Sequence, residues 1–234
     1  MPGYRTQQQN VAVLGSADLV IRSLLDRNQY ADPIGEAARL GISSAAWPLF
    51  GMLWPSSHQL AARLAARALR PGERILEIGC GLALASLVAH RRGADVTASD
   101  CHPLAERFLR QNLHLNGLLP LPYRHGHWGG AASALARWDD ASAAICVVTG
   151  RYDLIVGSDL LYEPDGRGAL AGFIDAHAMP AGQVWIMDPD RGNRAAFHRA
   201  MAGHGFARIE QKCATTATAQ AAAYKGRLLM YERR

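Results

Sequence analysis

The segment Glu77-Ile78-Gly79-Cys80-Gly81-Leu82-Ala83 constrains this chain more than any other, because it joins a short apolar run to a helical pattern. RILEIG (74–79) reads as a buried strand and LALASLVAHRRG as a helix ending at Gly93. Glycines at such a turn let the backbone come close to a ligand. The next β-branched run, ADVTASD (94–100), ends on Asp100, and a carboxylate at that strand tip can accept hydrogen bonds from both hydroxyls of a ribose. Strand, glycine turn, helix and acid in that order predict a nucleoside-binding α/β protein.

The rest of the chain continues the alternation. HPLAERFLRQNLHLNG reads as a second helix closed by Gly117. Further strands are expected at 121–128, 152–159 and 183–188, with helices at 166–178 and 193–203. FARIEQKC (206–213) and GRLLMYER (226–233) read as an antiparallel hairpin. The expected fold is therefore α/β and Rossmann-like: a seven-stranded, mostly parallel sheet with helices on both faces and a C-terminal hairpin. Upstream, Ser56 and Ser57 are placed to cap the helix SSHQLAARLAARALRPG. Leu19, Val20, Leu24 and Leu25 form a helical stripe, so residues 1–53 read as a helical cap on the ligand-binding edge of a domain over 54–234. The Ala-rich stretches near 131–144 and 214–223 read as surface connections.

Composition removes several classes. About half the 234 residues are apolar, enough for one large core. The net charge of +5 is spread along the chain, a weak signal for nucleic acid. Cys80, Cys101, Cys146 and Cys213 form no CxxC pair, and His58, His90, His102 and His114 have no ligand spacing, so no metal is expected and a reducing cytoplasm is. No signal peptide and no run of membrane-spanning length is found.

A dinucleotide enzyme would carry Gly or Ala at the sixth position counted from Gly79, and that position is Leu84. The acid two residues before Gly79, with small residues at 79, 81 and 83, instead resembles motif I of class I methyltransferases, Ala83 standing where the last glycine is usual. That resemblance implies S-adenosylmethionine as cofactor and S-adenosylhomocysteine as product. Asp100 would hold the ribose, the 79–83 loop would pass beneath the methionine portion, and Glu77 would order the loop or bind the amino group. WPSSHQLAARLA, His127-Trp128, SDLLYEP (158–164) and DPDR (188–191) are together similar to the seven-β-strand family that contains protein lysine methyltransferases, over residues 47–233. By that resemblance Trp128 borders the adenine, with core packing as its alternative, and Ser158 belongs to the cofactor site. Family members often carry an acid at the position of His127.

Methyl transfer from a sulfonium is an in-line displacement, so the protein has mainly to align a lone pair and exclude water. A lysine amine, with a reference pKa of about 10.4, must first shed a proton. Asp159 and Tyr162 follow the fourth strand, where parallel sheets place ligands. The resemblance puts them beside the transferred methyl, Asp159 aligning the amine and Tyr162 orienting it. Trp47, Trp54 and Pro55 would roof the substrate, or else clamp the N-terminal segment to the sheet. Asp188 and Arg191 read as shaping a loop, with a surface ion pair as the plain alternative. Four functions stay open: protein lysine methylation first, a small-molecule amine next, a non-catalytic scaffold, and nucleic acid last. Against nucleic acid, the chain has neither an Asn/Asp-Pro-Pro-Tyr/Phe segment nor a Pro-Cys motif.

Overall fold

A computed structural model describes residues 3–128, 146–165, 167–217 and 223–233. Its N-terminal segment corrects the helical expectation. β1 (Thr6–Val11) and β2 (Leu19–Leu24) pair antiparallel as a hairpin. Leu19, Val20 and Leu24 fit a helical stripe, but Leu19, Ile21 and Ser23 also fit a period of two, and all three are buried. The choice is made by residues far along the chain. Asn112 Oδ1 accepts from the Arg22 amide at 2.8 Å, while Asn116 accepts from the Val20 amide and donates to the Val20 carbonyl, both at 2.8 Å. Two asparagines one helical turn apart thus stand in for a third strand along the free edge of β2. Asn112→Ala is expected to cost about 2 kcal/mol by stranding backbone groups of Arg22, seen as a fall in Tm of about 4–8 °C. An unchanged Tm would mean that water serves that edge equally well.

After the short α1 (Glu36–Arg39) and a 3-10 turn over Trp47–Gly51, α2 (Pro55–Ala66) begins one residue earlier than expected. Trp54 is the N-cap and Pro55 takes the first helical position, where its missing N–H is no loss. Ser57 Oγ donates back to the Trp54 carbonyl at 2.7 Å, and Ser56 is buried with its hydroxyl 3.1 Å from that of Tyr224, so neither serine is the cap.

From here the alternation holds: β3 (Arg74–Ile78), α3 (Leu84–Arg91), β4 (Asp95–Asp100), α4 (Ala105–Leu115), β5 (Tyr123–His125), β6 (Tyr152–Ser158), α5 (Ala169–His177), β7 (Ala178–Asp188), α6 (Arg194–Gly203), β8 (Phe206–Thr215) and β9 (Tyr224–Arg233). The sheet order is β5-β4-β3-β6-β7-β9-β8, parallel from β5 to β7 and antiparallel across β9 and β8. Gly93 and Gly117 follow their helices with φ of 88° and 61°, as the helix ends demand. β5 is shorter than expected. β7 is longer, because its register shifts before the paired run that begins at Gln183. The stretch near 131–144 lies outside the described residues, and Ala214 and Thr215 extend β8 rather than a loop.

Alternation along the strands splits the core in two. Ile75, Leu154, Val156 and Leu228 face α2, α3, α4 and the N-terminal hairpin, whereas Leu76, Ile155, Leu229 and Tyr231 face α5 and α6. Helices therefore cover both faces. From β3 the chain runs outward to β4 and β5, then returns to the other side of β3 at β6, which makes the carboxyl ends of β3 and β6 the switch point where such sheets bind ligands.

Candidate active site

The loop leaving β3 is held in left-handed conformation at three positions: Gly79 (φ 56°), Gly81 (φ 53°) and Ala83 (φ 59°). A Cβ on Gly81 would lie 2.7 Å from the carbonyl oxygen of Phe50, and one on Gly79 would lie 2.4 Å from Leu160 Cδ2 and 3.3 Å from the Trp128 ring. The two glycines thus admit different neighbours, the 3-10 turn and the segment beyond β6. Ala83 accepts a left-handed backbone, at about 1–2 kcal/mol, while burying its methyl completely. Burial of one carbon offsets about 0.8 kcal/mol of that, which is how an alanine fits where glycine is usual.

Glu77 is tied to the start of α3. Its buried carboxylate accepts hydrogen bonds from the backbone amide and hydroxyl of Ser86, the amide at 2.8 Å, so it caps the first turn of α3 from the neighbouring strand. Burial, opposed by the Ser86 bonds and aided slightly by Asp100, pushes its pKa from 4.5 to about 7. The folded state therefore holds this proton more tightly than the unfolded chain. The stabilisation is complete below about pH 4.5 and is lost as pH rises to about 7, at about 1.4 kcal/mol per unit and about 3 kcal/mol in all. Glu77→Gln mimics the protonated form and is expected to be the more stable protein at pH 8, with the difference vanishing near pH 4. Urea unfolding of both proteins across that range measures it, and parallel curves would contradict it.

Asp100 pins the loop to β4. One carboxylate oxygen accepts from the Gly81 amide and the other from the His102 amide, each at 2.8 Å. Burial raises its pKa against those bonds. Each oxygen keeps a lone pair for a ribose hydroxyl. Beyond β5, the half-buried Trp128 lies between the Gly79 loop and Phe173, 5.8 Å from that ring, so it both packs and borders the site. At the carboxyl ends of β4 and β5 are buried polar atoms without partners among the described residues: Ser99 Oγ beside Gly126, His125 Nε2, and His102 Nε2 on the ring stacked against Phe50. Burial lowers His125 to about 4 and His102 to about 3, so both rings are neutral at pH 7. Left-handed glycines, a carboxylate with spare lone pairs and neutral, unfilled donors and acceptors fit an uncharged nucleoside base and its ribose. Sequence reasoning missed Gly126, whose Cβ would stand 2.2 Å from Ser99 Oγ; a glycine inside a predicted strand was the available signal.

Ser158 ends β6 opposite Met187. Asp159 follows with φ 56°, its amide donating to the Met187 carbonyl at 3.0 Å and its Oδ1 accepting from the Arg191 guanidinium at 3.0 Å. Arg191 thus pairs with a largely buried acid. Its own amide donates to Asp188 Oδ1 at 2.8 Å, and Asp188 is fully buried, so the surface-pair reading of these two residues is corrected. Tyr162 is 48% exposed, and burial of the rest pushes its pKa up to about 12, keeping the hydroxyl protonated.

Trp47 requires a second correction. It is 1% exposed, with Tyr4, Tyr30, Phe50 and His102 at 5.5–6.0 Å from its ring, so its faces are occupied by the core and it acts as the clamp rather than a substrate wall. His102 is buried, stacked on Phe50 at 3.7 Å. Trp54 is half-buried at the mouth of α2, its Nε1 donating to the Leu49 carbonyl at 2.9 Å.

A switch-point glycine loop tied to an acid on the next strand, in a sheet ending β7-β9-β8, defines a class I methyltransferase domain. Residues 47–195 match the family described as lysine methyltransferase, and the chain belongs to that family. Among curated proteins it is 28% identical to the electron transfer flavoprotein beta subunit lysine methyltransferase of Danio rerio, over 62% of this chain and 51% of that protein. It is 32% identical to the human histone-arginine methyltransferase METTL23, over 57% and 67% respectively. The chain spans about half the length of the flavoprotein-directed relatives. A magnesium protoporphyrin IX methyltransferase from Synechocystis PCC 6803, solved with S-adenosylmethionine bound, shares the fold with a TM-score of 0.55 at 19% identity, covering 76% of this chain and 78% of that one.

Proposed function

We propose that this protein transfers a methyl group from S-adenosylmethionine to a lysine side chain of a protein substrate. The observation that carries the reading is the join between two loops. The segment that bears Asp159 and Tyr162 lies with Leu160 directly against Gly79, so a group aligned by Asp159 meets the cofactor loop. Family membership and relatives named for protein lysine and arginine methylation support a protein acceptor.

When bound, the cofactor supplies an electrophilic methyl on a sulfonium, and displacement at that carbon needs no metal. This chain's own residues do the rest. Asp100 holds the nucleoside end, the 79–83 loop lies beneath the methionine portion, and Trp128 and Leu160 cover the loop and exclude water. Asp159 accepts a hydrogen bond from the acceptor nitrogen, and the Tyr162 hydroxyl, kept protonated, orients it. Residues 54–233 form the transfer domain in this reading, with the N-terminal hairpin and 3-10 turn as its cap. All four cysteines are free and no described helix is long and apolar enough to cross a membrane, which supports work in a cytoplasm.

Incubation with tritiated S-adenosylmethionine and cell extract, fractionated into protein, small molecules and nucleic acid, tests the assignment. Label is expected in protein, recovered after hydrolysis as methyllysine. Label confined to small molecules would replace the acceptor class.

A further inference from the structure

Among the described residues, three positions other than glycine hold a left-handed backbone: Ala83, Asp159 and Asp190. The first two lie in the cofactor loop and the acceptor segment. Asp190, with φ 64°, lies in the loop between β7 and α6, and its carboxylate bonds to neither of those segments. A left-handed aspartate is strained, and such strain persists only where the surroundings hold it in place. Here they do. Asp190 Oδ1 accepts from Arg194, the first residue of α6, and from Arg227 of β9 at 2.7 Å. Arg227 also reaches Glu210 of β8 at 3.3 Å, and Arg194 Nε lies 4.0 Å from the same acid.

From this anchor the chain turns back to the site. The Arg191 guanidinium donates to Asp159 Oδ1 at 3.0 Å and its amide to Asp188 Oδ1 at 2.8 Å, and Asn193 Nδ2 donates to the Leu161 carbonyl at 3.0 Å. The loop thus has an anchored side and a working side. Asp190 is held by Arg194 and Arg227, while Arg191 and Asn193 grip the acceptor segment over 159–161. Among the described residues the Arg191 side chain bonds to Asp159 alone, and its Nε is buried without an acceptor. Its own bonds therefore do little to fix where it stands, and the loop backbone must do so. The Asp190 side chain is 31% exposed, and ion pairs in reach of water add little to global stability. The network around Asp190 is thus better placed to set the position of Arg191 than to hold the fold.

We propose that Asp190 is a positioning residue for methyl transfer: paired with Arg194 and Arg227, it holds the loop from which Arg191 fixes the Asp159 carboxylate. This rests on the methyl-transfer reading, in which Asp159 aligns the acceptor nitrogen, and adds a residue that acts on the reaction only through Arg191 and Asp159. An in-line displacement is sensitive to small misplacements of the aligning group, while binding of the cofactor is not. Loss of Asp190 therefore lowers the rate of transfer and leaves cofactor affinity as it was.

Three substitutions in the full chain separate the parts. Asp190→Asn keeps the left-handed turn, which asparagine tolerates, but removes the charge that holds two guanidinium groups. Asp190→Gly frees the backbone of strain and removes the carboxylate altogether. Arg227→Met leaves Asp190 in place and takes away its partner on β9. The acceptor is the protein fraction of a cell extract, labelled from tritiated S-adenosylmethionine at saturating concentration. Initial rates are expected to fall about threefold in Asp190→Asn and Arg227→Met and about tenfold in Asp190→Gly, with S-adenosylhomocysteine affinity unchanged and Tm within a few degrees of wild type. In an Asp159→Asn background Asp190→Gly should cost little more, because a residue acting through Asp159 has nothing left to position. A second readout needs no acceptor: the buried Arg191 Nε–H, followed by NMR, should exchange with solvent about tenfold faster in Asp190→Gly than in wild type. Wild-type transfer by Asp190→Gly would overturn the proposal, as would unchanged Nε–H exchange or a loss that adds in full to that of Asp159→Asn. Absence of labelled protein with the wild type would instead remove the methyl-transfer reading, and the exchange measurement would still decide whether Asp190 holds Arg191.

Discussion

Gly81→Ala is expected to lower stability by about 3 kcal/mol and to weaken S-adenosylmethionine binding at least in proportion. Two separate costs meet at this position. A left-handed backbone penalises any Cβ by about 1–2 kcal/mol. The added methyl would also stand 2.7 Å from the Phe50 carbonyl, a backbone atom in the turn that Trp47 and Phe50 lock into the core. Moving it is an overpacking cost of about 1–3 kcal/mol. The same shift displaces the Gly81 amide from Asp100 Oδ2, so the acid proposed to hold the ribose loses its alignment as the fold loosens. Ala83→Gly is the internal control. It relieves the same backbone strain but removes a buried methyl, so the two effects offset and Tm should hold within a few degrees. Gly79→Ala falls between, since its clash is with the movable end of Leu160. Thermal unfolding and equilibrium dialysis of labelled cofactor measure all three. A Gly81→Ala protein with unchanged Tm would show that the 3-10 turn does not press on the loop.

These three positions also show what a sequence carries and what it withholds. Gly79, Gly81 and Asp100 were legible because strand, turn and acid are local and ordered along the chain, and the parallel core followed from the same alternation. Why Gly81 must be glycine was not legible, because the atom it makes room for belongs to Phe50. β2 was misread for a related reason. Leu19, Val20 and Leu24 satisfy a helical period while Leu19, Ile21 and Ser23 satisfy a period of two, and the asparagines that decide between them lie on α4 and at its C-cap. Trp47 was offered equally as roof and as clamp, and only the ring of aromatic neighbours from Tyr4 to His102 settles it as clamp. Ser56 and Tyr224, 168 residues apart, meet near the end of β7 with no motif to announce them. Contacts within a strand-turn-helix unit can be read from spacing. Contacts that join one unit to another depend on which side of the sheet each crossover takes.

Asp159→Asn is expected to reduce kcat/KM for the proposed protein acceptor about 10–100-fold with cofactor affinity unchanged. The substitution keeps shape, and an amide oxygen can still accept from Arg191 at the place of Oδ1, so the fold should persist. What is lost is charge at Oδ2, buried and without a donor among the described residues. A hydrogen bond to a charged group contributes about 1.5–3 kcal/mol, which converts to that range of rate. Tyr162→Phe should cost less, about three- to tenfold, because that side chain is half exposed and its neutral hydroxyl offers only an uncharged hydrogen bond. Single-turnover transfer from labelled S-adenosylmethionine, run against pH for wild type and both variants, separates alignment from binding. Full activity in Asp159→Asn would take Asp159 out of the transfer step.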